Sequence, residues 1–148
     1  MASFAYNVMA KQPLTAWIIS AVLKVRLVMT NTTVDTENDA KDHLDDFTTM
    51  DTHDGSGYVD KTLGGLAVII DDTNGRATLD CNDVTWTALG AGTRAIEGAL
   101  VYEEVTAAES GRVPLCFIDP ANISSNGGDV TLAINASGLL AFTGTGAP

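Results

Sequence analysis

From Leu23 to Met29 apolar side chains occupy every odd position, while Lys24 and Arg26 break the even ones. That alternation predicts a half-buried strand, ended by Thr30-Asn31-Thr32-Thr33. Leu66 to Ile70 is a short apolar run suited to a buried strand, and the Asn74-Gly75 pair that follows is a strong signal for a tight hairpin. Arg76 to Asp83 then alternates with Ala77, Leu79 and Cys81 on one face. Arg94 to Glu104 alternates as well, and Glu109-Ser110-Gly111 turns the chain into Val113 to Ile118, where Pro114 marks an edge or a strand start. After the turn Ser124 to Gly128, Val130 to Ile134 alternates, and Ser137-Gly138 leads into Leu139 to Phe142. Strand-like segments separated by turn chemistry predict an all-β fold. It is an antiparallel β-sandwich or jelly-roll-like barrel of about seven to eight strands. No repeat at a period of about 20–50 residues is visible, which excludes solenoids and propellers.

Two stretches depart from this pattern. Leu14 to Leu23 is apolar but interrupted by Thr15 and Ser20. It falls short of the roughly 20 residues of a membrane span and lacks the basic start and small-residue cleavage site of a signal peptide. Without a secretory route the sequons at Asn31, Asn122 and Asn135 carry no meaning. Residues 35–60 hold nine acids (Asp35, Glu37, Asp39, Asp42, Asp45, Asp46, Asp51, Asp54, Asp60) against Lys41. Within this acidic loop Asp39 to Phe47 predicts one short helix, Leu44 and Phe47 sharing a face, before Gly55-Ser56-Gly57 breaks the chain. The expected organisation is an N-terminal arm or extension over 1–20, a β-sandwich domain over 21–142 and a flexible Gly-rich tail over 143–148. Pro13 disfavours a helix immediately before it.

Charge removes one class of partner. Eight Lys and Arg face 19 Asp and Glu in 148 residues, a net charge of −11. The basic residues are scattered singly, so a phosphate backbone is repelled and nucleic acid is excluded as a partner. Cys81 and Cys116 have no CxxC spacing and lie in apolar stretches, which predicts buried, reduced thiols.

Chemistry-bearing residues are few. His43 and His53 both sit in the acidic segment, where Asp39, Asp42 or Asp54 invite a metal reading, but no zinc spacing exists. Asp51 to Gly57 resembles the start of an EF-hand loop, yet Ser56 stands where that loop needs glycine and Thr62 where it needs glutamate. A looser calcium site from loop carboxylates is the alternative to a plainly solvated loop. No nucleophile has a neighbouring base in any motif, and no GxSxG elbow occurs. Leu89-Gly90-Ala91-Gly92-Thr93 lacks the Walker lysine and reads as a turn. The expectation is therefore a non-enzyme with no catalytic, cofactor-binding or metal residues. Trp86 and Tyr102 flank strongly patterned strands and are expected in the core. Phe4, Tyr6, Val8 and Met9 precede any patterned element and are too apolar for an idle solvated arm, which marks them as candidate partner-interface residues.

The order of motifs carries a resemblance. The opening strand 23–29, the acidic excursion, Gly55-Ser56-Gly57-Tyr58 and Gly64-Gly65 come first. Asn82-Asp83-Val84-Thr85-Trp86, then Thr93-Arg94-Ala95-Ile96 into Ala99-Leu100-Val101-Tyr102, and Ser124-Ser125-Asn126-Gly127 follow. Over residues 20–142 this order resembles the small β-sandwich capsid decoration (cement) proteins of tailed bacteriophages. The apolar Ala16-Trp17-Ile18-Ile19 and the Glu97-Gly98 interruption depart from the pattern. The resemblance implies a non-enzymatic virion structural protein on the outer surface of the capsid, made in the host cytoplasm. Its implied partners are the major capsid protein and further copies of itself, as a homotrimer, with no membrane and no nucleic acid. Another virion role (head fibre base, neck or tail protein) and a glycan- or calcium-binding module are the alternatives.

Overall fold

The alternating segments do form strands. The computed structural model describes residues 7–37, 41–120 and 122–143. In chain order these hold helix α1 (Asn7–Ser20), β1 (Leu23–Met29), the 3-10 turn η1 (Leu44–Asp46), β2 (Lys61–Thr62), β3 (Ala67–Asp71), β4 (Arg76–Asp80) and β5 (Val84–Trp86). Then come β6 (Ile96–Glu104), the 3-10 turn η2 (Glu109–Gly111), β7 (Arg112–Ile118), β8 (Val130–Leu132) and β9 (Leu140–Thr143). Among the described residues the nine strands form three sheets, β2-β1-β6-β7, β3-β4-β9 and β5-β8, and every pairing is antiparallel. The fold is mostly β, consistent with the sandwich-like class expected. The short strands β2 and β5 bring the number above the seven or eight read from the pattern.

Contacts divide the chain into two compact units, one of them assembled from α1 through Ala21, Gly64–Asn82 and the chain from Ala133 onward. Its centre is the β3–β4 hairpin, with Ile70 opposite Ala77 and Asp71 opposite Arg76. Gly75 takes φ +61, a left-handed turn conformation that a Cβ penalises. Asp71 holds the turn, accepting from the Asn74 N–H at 3.1 Å and from Asn74 Nδ2 at 2.7 Å. β9 extends the sheet, Leu140 opposite Leu79 and Phe142 opposite Ala77. Ala77, Leu79 and Cys81 are buried, as their shared face requires.

α1 packs on β3 and β4. Within the expected arm or extension over 1–20 the chain is helical from Asn7 and runs straight through Pro13, which corrects the reading that Pro13 disfavours a helix immediately before it. Leu14 is buried and Trp17 and Ile18 half-buried, an i, i+3, i+4 stripe that faces a sheet. Tertiary burial of such a stripe, about 1.5–3 kcal/mol for a fully buried large side chain, offsets the roughly 3 kcal/mol that proline costs in a helix interior. The tail beyond Thr143 lies outside the described residues.

The second unit comprises Val22–Leu63 and Asp83–Leu132. β1 pairs with β6 from Leu23 opposite Glu103 to Met29 opposite Ile96, with an irregularity after Val28. It is buried on both faces, not one: Arg26 and Val28 lie inside together with Leu23, Val25 and Leu27. β7 closes the sheet at its edge, as Pro114 predicted. The expected helix over Asp39 to Phe47 is reduced to η1, while Leu44 still joins Val34, Leu100 and Tyr102 in a core cluster with Phe47 packed against it. Trp86 is fully buried, and its indole N–H donates to the Val59 carbonyl at 2.9 Å.

Candidate functional site

The polar interior of the larger unit is built around Arg26. Its even position on β1 points it inward, and two carboxylates from distant loops meet it. Arg26 Nε and Nη2 donate to Asp60 Oδ2 at 3.0 and 2.8 Å, while Nη1 and Nη2 make a fork onto Glu109 at 2.9 and 3.0 Å. Asp60 also accepts from the Tyr58 hydroxyl at 2.8 Å and from the Tyr102 hydroxyl at 2.7 Å. Arg26 and Arg112 each lie 5.5 Å from the centre of the Tyr102 ring, and Arg112 pairs with Glu104 and Glu109. Burial works against the Arg26 charge, but Glu109 and Asp60 outweigh it and raise its pKa. Burial likewise pushes the Asp60 carboxyl up, yet the hydrogen bonds from Arg26, Tyr102 and Tyr58 hold it below the usual range. Burial first, and then Asp60, raise both tyrosines. With Arg26 only 6% exposed, the network ties β1 to the loops that carry Asp60 and Glu109.

A second assembly surrounds His53. Its ring is buried, with Nε2 3.3 Å from the Gly90 carbonyl oxygen and 3.4 Å from Ser125 Oγ, and Tyr58 meets it edge-on. Nδ1 is buried without a hydrogen-bond partner. Glycine is required at Gly92, where a Cβ would stand 2.6 Å from the imidazole Cε1. Asp54, next in sequence, instead receives the backbone N–H and hydroxyl of Thr93, each at 2.8 Å, which lowers its pKa. No sequence motif pairs His53 with a serine; the fold brings Ser125 to it from 72 residues away. Three loops converge on it: 51–57, 88–93 and the turn at Ser125.

The third feature is a cleft of about 190 Å³ beside β7, lined by Val34, Glu37, Lys41, Phe47, Leu100 and the run Pro114–Phe117. Lys41 Nζ pairs with Glu37 at 3.0 Å and donates to the Asp46 carbonyl at 2.6 Å. Hydrogen bonds from Thr48 hold the Glu37 pKa at about 2.

The residues singled out from sequence fall as follows. Phe4 and Tyr6 lie outside the described residues, and Val8 and Met9 fall in the first half of α1. Asp39 is also outside them, and Asp42 and Asp54 do not come together with His53 into a ligand set. His43, Asp45 and Asp46 do approach one another, on an exposed turn. Cys81 is buried as expected, whereas Cys116 is half-buried and lines the cleft, a correction that follows from its place on an edge strand. Neither forms a disulfide. The Arg26 network escaped sequence reading because Asp60 and Glu109 are brought to it by loops. Its one local trace is an arginine in a run otherwise fit for burial.

No protein-family model matches the chain, no curated protein matches it, and no solved structure matches its fold. No helix among the described residues is long and apolar enough to cross a membrane.

Proposed function

We propose that this chain is a non-enzymatic virion structural protein, a capsid decoration protein that binds the outer surface of a phage head and stabilises it as a homotrimer. The observation that carries the reading is apolar surface left in the open. In the helix-and-sheet unit Ile19 is 81%, Ile69 50% and Phe142 37% exposed, and in the larger unit Val22, Val59 and Val105 are exposed as well. Solvated apolar side chains on a small β protein are what an attachment surface supplies. Repetition on a symmetric shell multiplies a modest contact into stable coating. The net charge of −11 keeps a densely coated particle soluble. Phe4, Tyr6, Val8 and Met9 belong to the same attachment function, covered by a neighbouring subunit or by the major capsid protein.

Electron cryo-microscopy of purified particles of the encoding phage tests this. A lattice of density outside the major capsid shell, fitted by this fold in groups of three, is the expected result. Density confined to the portal vertex, neck or tail would move the protein to another virion role. Its absence from the particle, together with glycan or calcium binding by the isolated protein, would overturn the virion reading.

A further inference from the structure

Asn74 and Asn126 each precede a glycine, and the fold treats the two pairs differently. An Asn-Gly pair is able to modify itself. The glycine nitrogen loses its proton and attacks the asparagine Cγ, the Cγ–Nδ2 bond breaks, and ammonia leaves. Water then opens the resulting succinimide ring at either carbonyl, giving aspartate or isoaspartate. The step needs an accessible side chain, a free glycine N–H and a backbone able to turn that nitrogen toward Cγ. Glycine suits it because no Cβ hinders the approach.

At Asn126 the backbone is pinned. The Gly127 N–H donates to the Leu89 carbonyl at 2.8 Å, and the Leu89 N–H donates to the Gly128 carbonyl at 2.9 Å. Leu89 is fully buried, so freeing the Gly127 nitrogen leaves a buried carbonyl without its donor. At Asn74 the restraint is lighter. This residue is exposed, and Gly75 lies beyond the last ladder pair, Asp71 opposite Arg76. Among the described residues no backbone carbonyl accepts from the Gly75 N–H. What holds Asn74 is one carboxylate: Asp71 accepts from its N–H at 3.1 Å and from its Nδ2 at 2.7 Å. Bonds of this kind at the surface exchange with water at little cost.

We propose that Asn74–Gly75 is a self-modifying turn, which deamidates ahead of Asn126 at a rate restrained by Asp71 and whose product loosens the β3–β4 hairpin. The product exchanges a donor for an acceptor. A carboxylate oxygen stands where Nδ2 met Asp71, and Arg76, 2.9 Å from Asp71, then faces two negative charges. Isoaspartate also inserts a methylene into the backbone of a turn in which Gly75 already takes φ +61. This inference rests on the turn alone and is independent of the virion reading.

The test ages the full chain at mildly alkaline pH and maps its peptides by mass spectrometry. Asn74 should convert to aspartate and isoaspartate several-fold faster than Asn126, and Asn74→Gln should remove the early product. Asp71→Ala should speed conversion of Asn74 several-fold, by freeing its side chain and removing a charge that opposes the amide anion. Anion exchange separates the product by its added charge. Its β3 and β4 amides should show less hydrogen-exchange protection than those of fresh protein. If Asp71→Ala fails to fold, the order of the two asparagines and the exchange of the separated product still decide. Conversion at Asn126 first, an unchanged or slower rate in folded Asp71→Ala, or a product with full β3 and β4 protection would overturn the proposal.

Discussion

The interiors of the two units differ in one respect. The larger one sets a charge network inside an apolar core: Arg26 is held between Asp60 and Glu109, and two tyrosine hydroxyls complete the set, beside buried Leu23, Val25, Trp86 and Leu100. The helix-and-sheet unit relies on apolar packing, with Leu14, Ala77, Leu79 and Cys81 buried. Among the described residues its one ion pair is Arg76–Asp71, at the hairpin tip. Apolar packing tolerates small adjustments, whereas a buried charge network holds one geometry or fails. The contrast teaches what a charge network adds: the smaller unit is held by the fit of its side chains, the larger by that fit together with directional bonds.

The sharpest way to break this contrast is Asp60→Ala. It leaves the Arg26 charge buried with Glu109 alone and strips two tyrosine hydroxyls of their acceptor. A loss of about 3–5 kcal/mol is expected in urea unfolding, with β1 and β6 amides losing hydrogen-exchange protection. Leu79→Ala tests the apolar side. Removing a fully buried leucine should cost about 3 kcal/mol, read as lost protection in β3, β4 and β9. If both variants weaken both units alike, the contrast fails.

Acid provides a smaller and reversible probe. The folded-state pKa of Asp60 lies below its ordinary value, so its stabilising contribution is complete above about pH 4 and is lost as pH falls through the folded value. Glu37, held at about 2, follows the same sign: its contribution is complete above its ordinary 4.5 and is lost as pH falls through about 2. Hydrogen exchange at pH 3 against pH 7 should therefore lower protection in β1 and β6 more than in β3 and β4. The smallest effect is expected for Arg76→Ala. Its partner Asp71 is at the surface, so the change should stay within about 1 kcal/mol by urea unfolding.

Legibility from sequence followed the same division. The β3–β4 hairpin was plain because Asn74-Gly75 and the alternation around it are local signals, β1 and β6 showed the same period-two pattern, and β7 was marked by the turn before it and by Pro114. α1 was not read as a helix because Pro13 argued locally against one. The Leu14, Trp17, Ile18 spacing gains its meaning only from the sheet it covers. The Arg26 network and the His53 surroundings were invisible for a different reason. Their partners come from loops with no periodicity, and chance pairs abound in a chain with 19 acids. Local chemistry marks turns and strands; long-range electrostatics leaves one odd residue in an apolar run.

The strand order also dictates a timetable during synthesis. β3 and β4 are neighbours in sequence as well as in the sheet, so their hairpin can close as soon as it emerges from the ribosome. β1 is made early but pairs with β6, and β4 waits for β9, the last strand among the described residues. Until Leu140–Thr143 is translated, β4 keeps an open flank, so the helix-and-sheet unit is finished last. A nascent chain stalled before β9 would hold that flank of β4 exposed as a pairing edge for other chains, until Leu140–Thr143 covers it.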